Sequence, residues 1–226
     1  MLLSKTFQKV DNMARRTKEE AQETRDKIVS AAIDVFYEKG FSNTTLEQIA
    51  SAADVTRGAI YWHFKNKLDI FLAIHSQFHT SFMDMMLQEL ESSAAPPLRK
   101  LEDIAVKLLR EINTDKQKQR VLSIFILQSE NCSEMAPLFE QKRAAKAQAL
   151  EIFSRFFASA VQKGDLPSSR DPDLMALSFF CYLSGILTES LGTTSLLELD
   201  RQAASLVNLF FDGLKNCGPH EVPDKS

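Results

Sequence analysis

Arg57 is the residue with the most recognition chemistry to offer. It opens the short run Arg57-Gly58-Ala59-Ile60-Tyr61-Trp62-His63 and stands one tight connection after a second run that begins at Thr44-Thr45. A guanidinium at a helix start opposes the helix dipole, so it calls for an acceptor-rich partner such as a phosphate or a base edge. Its planar fork matches guanine O6 and N7 together, a pairing that discriminates against a wrong base by about five- to 150-fold. Gly58 and Ala59 beside it leave room for close approach. Thr44, Thr45 and Thr56 can donate hydroxyls to phosphate oxygens besides capping helices, and Lys67 adds charge near free N–H groups at a further helix start.

Bond-making chemistry finds no comparable constellation. The chain has no GxGxxG, no P-loop, no GxSxG and no HExxH, so it reads as a non-enzyme without a cofactor. His75 and His79 share a helix face at i, i+4 spacing, but no carboxylate stands ready to complete a ligand set and no metal is expected. Cys132, Cys181 and Cys217 are odd in number, far apart and outside any CxxC spacing. The pattern therefore argues against both a disulfide framework and a zinc site, and a reducing cytoplasm suits them.

The elements that position these residues are helices. The 226 residues are 44% hydrophobic and 25% charged with only seven glycines and seven prolines, a balance that excludes disorder and favours an all-α fold. Net charge is -3, which argues against coating nucleic acid through bulk charge, yet residues 1–67 hold 11 Lys/Arg against 9 Asp/Glu while the remainder holds 16 against 21. Any phosphate contact belongs to the first part. No apolar run approaches the roughly 20 residues that span a bilayer, and the N-terminus lacks the layout of a secretory signal. The expectation is a cytoplasmic protein without a membrane partner.

Thr17-Lys18-Glu19-Glu20 reads as a capping box opening a helix that Gly40 ends. Thr44-Thr45-Leu46-Glu47 reads as a second box, opening two turns with Leu46, Ile49 and Ala50 on one side; Asp54 takes the positive-φ turn position and Thr56 caps the next helix. This spacing is that of a helix-turn-helix, with Val55 and Ile60 turned to the core. A long segment from Asn66, capped with Asp69, runs to about Leu90. Helical patterns follow at 98–113, 116–130, 135–163, 172–191 and 198–215, with Asp171-Pro172 and Ser195 to Glu198 as further starts. The total is about nine helices.

The run Thr44 to Ala50, followed by Val55-Thr56-Arg57-Gly58-Ala59-Ile60-Tyr61-Trp62-His63-Phe64-Lys65-Asn66-Lys67, strongly resembles the TetR family of transcriptional repressors. Met13-Ala14-Arg15-Arg16-Thr17-Lys18-Glu19-Glu20-Ala21 further resembles the AcrR-type branch, which represses multidrug efflux genes. The specific resemblance covers about residues 13–75; Asp54 in place of the usual glycine and the twelve residues ahead of Met13 depart from it. It implies a flexible arm over 1–16, a DNA-binding domain over 17–66, a ligand-binding and dimerisation domain over 67–215 and a tail over 216–226. It implies a double-stranded DNA operator contacted by Tyr61, Trp62 and His63 beside Arg57. Arg15 and Arg16 either lie along the minor groove or form a solvated tail.

Eleven of the sixteen phenylalanines lie from Phe78 onward, and the adjacent pairs Phe156-Phe157, Phe179-Phe180 and Phe210-Phe211 point to both sides of their helices. Helices apolar on two faces suggest a partner chain. In the family the last two helices pair with their copies, so Leu183, Leu187, Leu206, Val207, Phe210 and Phe211 are the expected homodimer contacts. Phe78, Phe82, Met86, Phe125, Phe139, Phe179 and Tyr182, with Gln128 and Asn131 as polar contacts, are the candidate lining of a cavity for a small hydrophobic inducer. A fatty acyl ligand and metabolic genes are the rival reading within the regulator class, and a helical protein-binding adaptor is the rival outside it.

Overall fold

The computed structural model describes residues 2–91, 95–127, 135–192 and 197–216, with side chains from Lys18 onward. Among these residues there are nine helices and no strand, the all-α architecture that the composition implied. Helix α1 spans Leu2–Lys39, α2 Leu46–Ala52, α3 Arg57–His63 and α4 Lys67–Glu91. Helices α5 (Pro97–Thr114), α6 (Lys116–Ile126), α7 (Ala136–Gln162), α8 (Pro172–Ser190) and α9 (Leu199–Asn216) complete the chain.

One start differs from the reading of the sequence. α1 does not begin at Thr17: it is already helical from Leu2, so residues 2–16 extend it rather than forming a separate arm. A capping box stops nothing by itself, and no proline or glycine occurs before Gly40 to break the helix. The side chains of Arg15, Arg16 and Thr17 lie outside the described residues. The other end is as expected, with Gly40 at φ 76°.

The turn between α2 and α3 carries Asp54 at φ 53°, the left-handed conformation that aspartate tolerates. The box before α2 sits one residue later than expected. Thr45 accepts from the Gln48 backbone at 3.3 Å while the Gln48 side chain accepts from the Thr45 backbone at 3.0 Å. Thr56 caps α3 through the Ala59 backbone N–H at 3.1 Å, and Asn66 with Asp69 caps α4 as the spacing predicted. Asp171 caps α8 with Pro172 at its first turn. The Ser195 box falls outside the described residues, although the Glu198 backbone donates to the Gln202 side chain at 2.8 Å at the start of α9.

Two apolar cores hold these helices. The first gathers Ile28, Phe36, Ile49, Ile60 and Phe64 of the three-helix unit, and it continues past residue 66 into Ile70, Phe71 and Ile74 of α4 and Ile124 and Phe125 of α6. Phe71 is the ring at its centre, 5.0 Å from Phe36, 5.1 Å from Phe41 and 4.9 Å from Phe125. The second core joins α4, α5, α7, α8 and α9 around Phe156, Phe157, Phe179 and Phe211, each nearly or fully buried. α4 contributes to both cores and runs from the short helices to the larger bundle.

Candidate nucleic-acid interface and effector cavity

Burial of Ile60 on α3 against the first core turns the opposite side of that helix outward. Arg57, Gly58, Tyr61 and Trp62 are all exposed there, Trp62 at 72% and Tyr61 at 48%. Large aromatics are seldom left in water without a partner, and here they stand beside a guanidinium on one short helix. A Cβ on Gly58 would meet only Thr56 Oγ, at 3.8 Å, so nothing inside the chain requires glycine at that position. Ala59 is half-buried, and the Thr45 and Thr56 hydroxyls are exposed, each already accepting its cap bond and still free to donate. His63 is partly buried and packs edge-on against Trp62 at 4.5 Å; burial and then the charge of Arg25 hold its pKa below the usual value.

Three expected contacts look different in the structure. Arg57 is already paired within the chain: Nη1 meets Glu47 Oε1 of α2 at 2.7 Å, and Nη2 donates to the Tyr61 hydroxyl at 3.1 Å. These partners, the hydroxyl first and the carboxylate second, hold its pKa above the ordinary value. The dipole argument for an external anion therefore has an internal answer, and Glu47 is a residue of the site that sequence spacing did not single out. Thr44 is 2% exposed and donates to the Gly40 carbonyl at 2.7 Å, so its hydroxyl faces inward rather than toward phosphate. Lys67 is likewise engaged. Its Nζ donates to the carbonyls of Phe41, Ser42 and Thr44 at 2.9, 3.2 and 3.3 Å and lies 4.5 Å from the centre of the Phe41 ring. It ties the start of α4 to the α1–α2 loop, across more than twenty residues of sequence that carry no periodic signal for the contact.

The larger bundle forms a partly open apolar cavity of about 110 Å³ walled by Phe78 and Phe82 of α4, Leu108 and Ile112 of α5, Phe153 of α7 and Phe180 of α8. Phe78 and Phe82 are where the aromatic pattern placed them. The other expected lining is elsewhere. Met86 and Phe179 are sealed in the second core, and Phe125 packs against Phe71 and His75 in the first. Phe139 is 39% exposed, and Tyr182 spends its hydroxyl on the Leu206 carbonyl at 2.7 Å. An aromatic stripe marks burial without distinguishing a cavity wall from filled core. Gln128 and Asn131 lie outside the described residues. Leu183 and Leu187, expected between chains, line this cavity together with Ser184, Leu122 and Ala149.

The remaining expected dimer contacts also face inward. Val207 and Phe211 are fully buried in the chain's own core, Phe210 packs on Tyr182 and Phe179, and Leu206 is half-buried. The phenylalanine pairs are thus satisfied within one chain. What α8 and α9 turn outward is a different row: Leu174, Leu177, Ser178, Cys181 and Gly185 on α8, and Leu209, 72% exposed, with Gly213 on α9. The phase of the buried residues Met175, Phe179, Leu183 and Ile186 was the signal that would have found it.

His75 and His79 stack in parallel, 6.3 Å apart, and no group able to hold a metal occurs among the described residues. His75 Nδ1 is buried without a hydrogen-bond partner. Burial, followed by the charges of His79 and Lys142, lowers its pKa from 6.5 to about 4. The folded state therefore holds this ring neutral. Stability is complete above pH 6.5 and falls as pH drops toward about 4, because the unfolded chain takes the proton first. With solvent screening of the half-buried ring the loss is about 1–2 kcal/mol. Urea unfolding at pH 7 and pH 4.5 is expected to show a smaller loss for His75→Phe than for the parent chain.

A three-helix unit with a buried core and α3 turned outward, joined by a long helix to a bundle with an apolar cavity, has the build of a helix-turn-helix DNA-binding protein. The comparisons agree. Residues 28–74 match the model of bacterial regulatory proteins of the tetR family, and residues 96–216 match the C-terminal region of MAATS-type transcriptional repressors. The HTH-type transcriptional regulator TtgR of Pseudomonas putida is 34% identical over 77% of this chain and 83% of its own length. The repressor BepR of Brucella suis is 34% identical over 92% of this chain and 99% of its own. Among solved structures, a SmeT–triclosan complex superposes with a TM-score of 0.78 at 28% identity, covering 89% of this chain and 98% of that one. The chain belongs to the TetR family of DNA-binding transcriptional regulators.

Proposed function

We propose that this protein acts in the cytoplasm as a homodimeric repressor of a multidrug efflux operon, leaves a palindromic operator when a small hydrophobic molecule enters the bundle, and catalyses no reaction. The observation that carries the reading is the connection through α4: the helix that starts beside the Arg57–Tyr61–Trp62 face also supplies two walls of the apolar cavity. The efflux assignment draws on the kinship above, since SmeT is bound to triclosan in its structure.

The size of the cavity supplies a mechanism. A drug-sized molecule needs about 300–1,000 Å³, and the space present is about 110 Å³. Occupancy thus requires α4 to part from α5, α7 and α8. Because α4 also packs on the reading unit through Phe71, its displacement shifts the reading helix. A ligand with greater affinity for the parted state weakens operator binding by that difference, typically about 5–150-fold. Triclosan added to an operator complex is expected to lower occupancy for the parent chain and to have little effect on Phe82→Trp, which fills the cavity. Equal release from both would remove the cavity from the mechanism.

The dimer reading rests on the outward row of α8 and α9, where exposed leucines alternate with small residues that let helices approach closely. Two copies on a two-fold axis present two reading helices at half-sites about 34–36 Å apart or a multiple. Leu209→Glu places a charge at the most exposed leucine of this row. Sedimentation is expected to shift that variant toward monomer, with its thermal unfolding otherwise cooperative; an unchanged dimer would move the interface elsewhere.

A further inference from the structure

A second, wider cleft of about 490 Å³ lies beside the apolar cavity, between α4 and the helices α1 and α6. Its floor is apolar and already packed, formed by Val29 and Ile33 of α1, Ile74 and Phe78 of α4 and Val121 of α6. Its volume falls within the range of small-molecule sites, about 300–1,000 Å³. Phe78 walls both spaces, so the cleft and the apolar cavity adjoin at one ring.

The charge at the rim selects an occupant. Asp26 and Asp115 flank the opening, and among the described residues neither has a cationic partner. Asp26 accepts only from the Gln22 amide at 2.8 Å, and Asp115 from the backbone N–H groups of Gln117 and Lys118 at 2.9 and 3.1 Å. The lysine at the rim, Lys118, is committed to Glu111 at 2.6 Å. Two uncompensated carboxylates over an apolar floor complement a cation with an apolar body and repel its anionic counterpart.

We propose that this cleft is a second effector site, that it takes a hydrophobic organic cation, and that its occupancy sets the spacing of α1 and α6 and with it operator affinity. The last step rests on the DNA-binding reading above. The spacing is held by two ties from α6 to α1: Gln117 Nε2 donates to Ser30 Oγ at 3.2 Å, and Arg120 pairs with Asp34. A ligand in the cleft touches both helices and α4 directly, without entering the apolar cavity. This route to the reading unit is separate from the one through Phe82.

Equilibrium dialysis of the full chain with tetraphenylphosphonium and with its near-isosteric anion tetraphenylborate reads the site without DNA. The expected result is one saturable cation site per chain, with the anion bound at least about tenfold more weakly, as a partly solvated unit charge a few ångströms away implies. The double substitution Asp26→Asn and Asp115→Asn, which keeps an accepting oxygen at both positions, is expected to erase that preference. Ser81→Trp, at the cleft wall, is expected to abolish cation binding while the unfolding transition stays cooperative. Equal binding of the two ions by the parent chain, or a cation preference that survives the double substitution, would overturn the site. In a second arm, the cation is expected to shift affinity for an operator duplex in the parent chain and to leave the doubly substituted chain unshifted. Cation binding with no shift in duplex affinity would overturn the regulatory step alone. A chain that binds the cation but no duplex would instead contradict the repressor reading and leave the site standing.

Discussion

Alanine at Arg57 is expected to weaken operator binding by about five- to 150-fold for each half-site that it reads, and by the product of the two in a dimer. The guanidinium is exposed at the first turn of α3, on the same face as Tyr61 and Trp62. Its loss removes a directional contact, so the effect falls on the operator and much less on unrelated duplexes. Glu47 modulates the same residue in the opposite sense. The carboxylate 2.7 Å from Nη1 competes with DNA for the guanidinium, and Glu47→Gln is expected to raise affinity for every duplex while narrowing the margin between operator and random DNA. The pair is readable by anisotropy titrations at several salt concentrations. A fall in specific and non-specific binding by the same factor for Arg57→Ala would mean that the residue only touches phosphate.

Phe71→Ala is expected to destabilise the protein by about 3–5 kcal/mol, a large share of the 5–15 kcal/mol that holds a typical domain. Phe71 is 1% exposed and meets rings from α1, the α1–α2 loop and α6 at once. Three edge-on partners lose their contact together, and the void cannot collapse without separating the reading unit from the bundle. Phe139→Ala is the matched control, because that ring is 39% exposed. Urea unfolding at fixed protein concentration measures both, the fixed concentration holding the contribution of dimerisation constant. A small loss for Phe71→Ala would mean that the two units are not joined through this ring.

The legible part of the structure was the local part. Caps at Thr56, Asn66 and Asp171 and the turn at Asp54 follow from short-range hydrogen bonding, and all occur where the sequence placed them. The box before α2 slipped by one residue because Thr44 and Thr45 both satisfy the pattern and only burial of Thr44 decides between them. Lys67 and Glu47 were misread or missed for a different reason. Their partners lie on other elements, and helical periodicity carries no information about which carbonyl or guanidinium a neighbouring helix presents. The same limit explains the assignment of Leu183, Val207 and Phe211 to a dimer surface. An apolar residue at the right period must be buried, but its phase against the chain's other helices determines whether its own core or a second copy covers it. The outward row at Leu174, Leu177 and Leu209 emerges only once that phase is fixed.

The central claim is that the exposed face of α3 reads a two-fold DNA sequence. Selection of binding sites from random duplexes, followed by footprinting of the winners, tests it most directly. The account predicts enrichment of an inverted repeat with half-sites about 34–36 Å apart, or a multiple. It also predicts that Arg57→Ala enriches nothing comparable. Recovery of no sequence, with affinity remaining in the non-specific range of roughly 10⁻⁴–10⁻⁶ M at physiological salt, would contradict it.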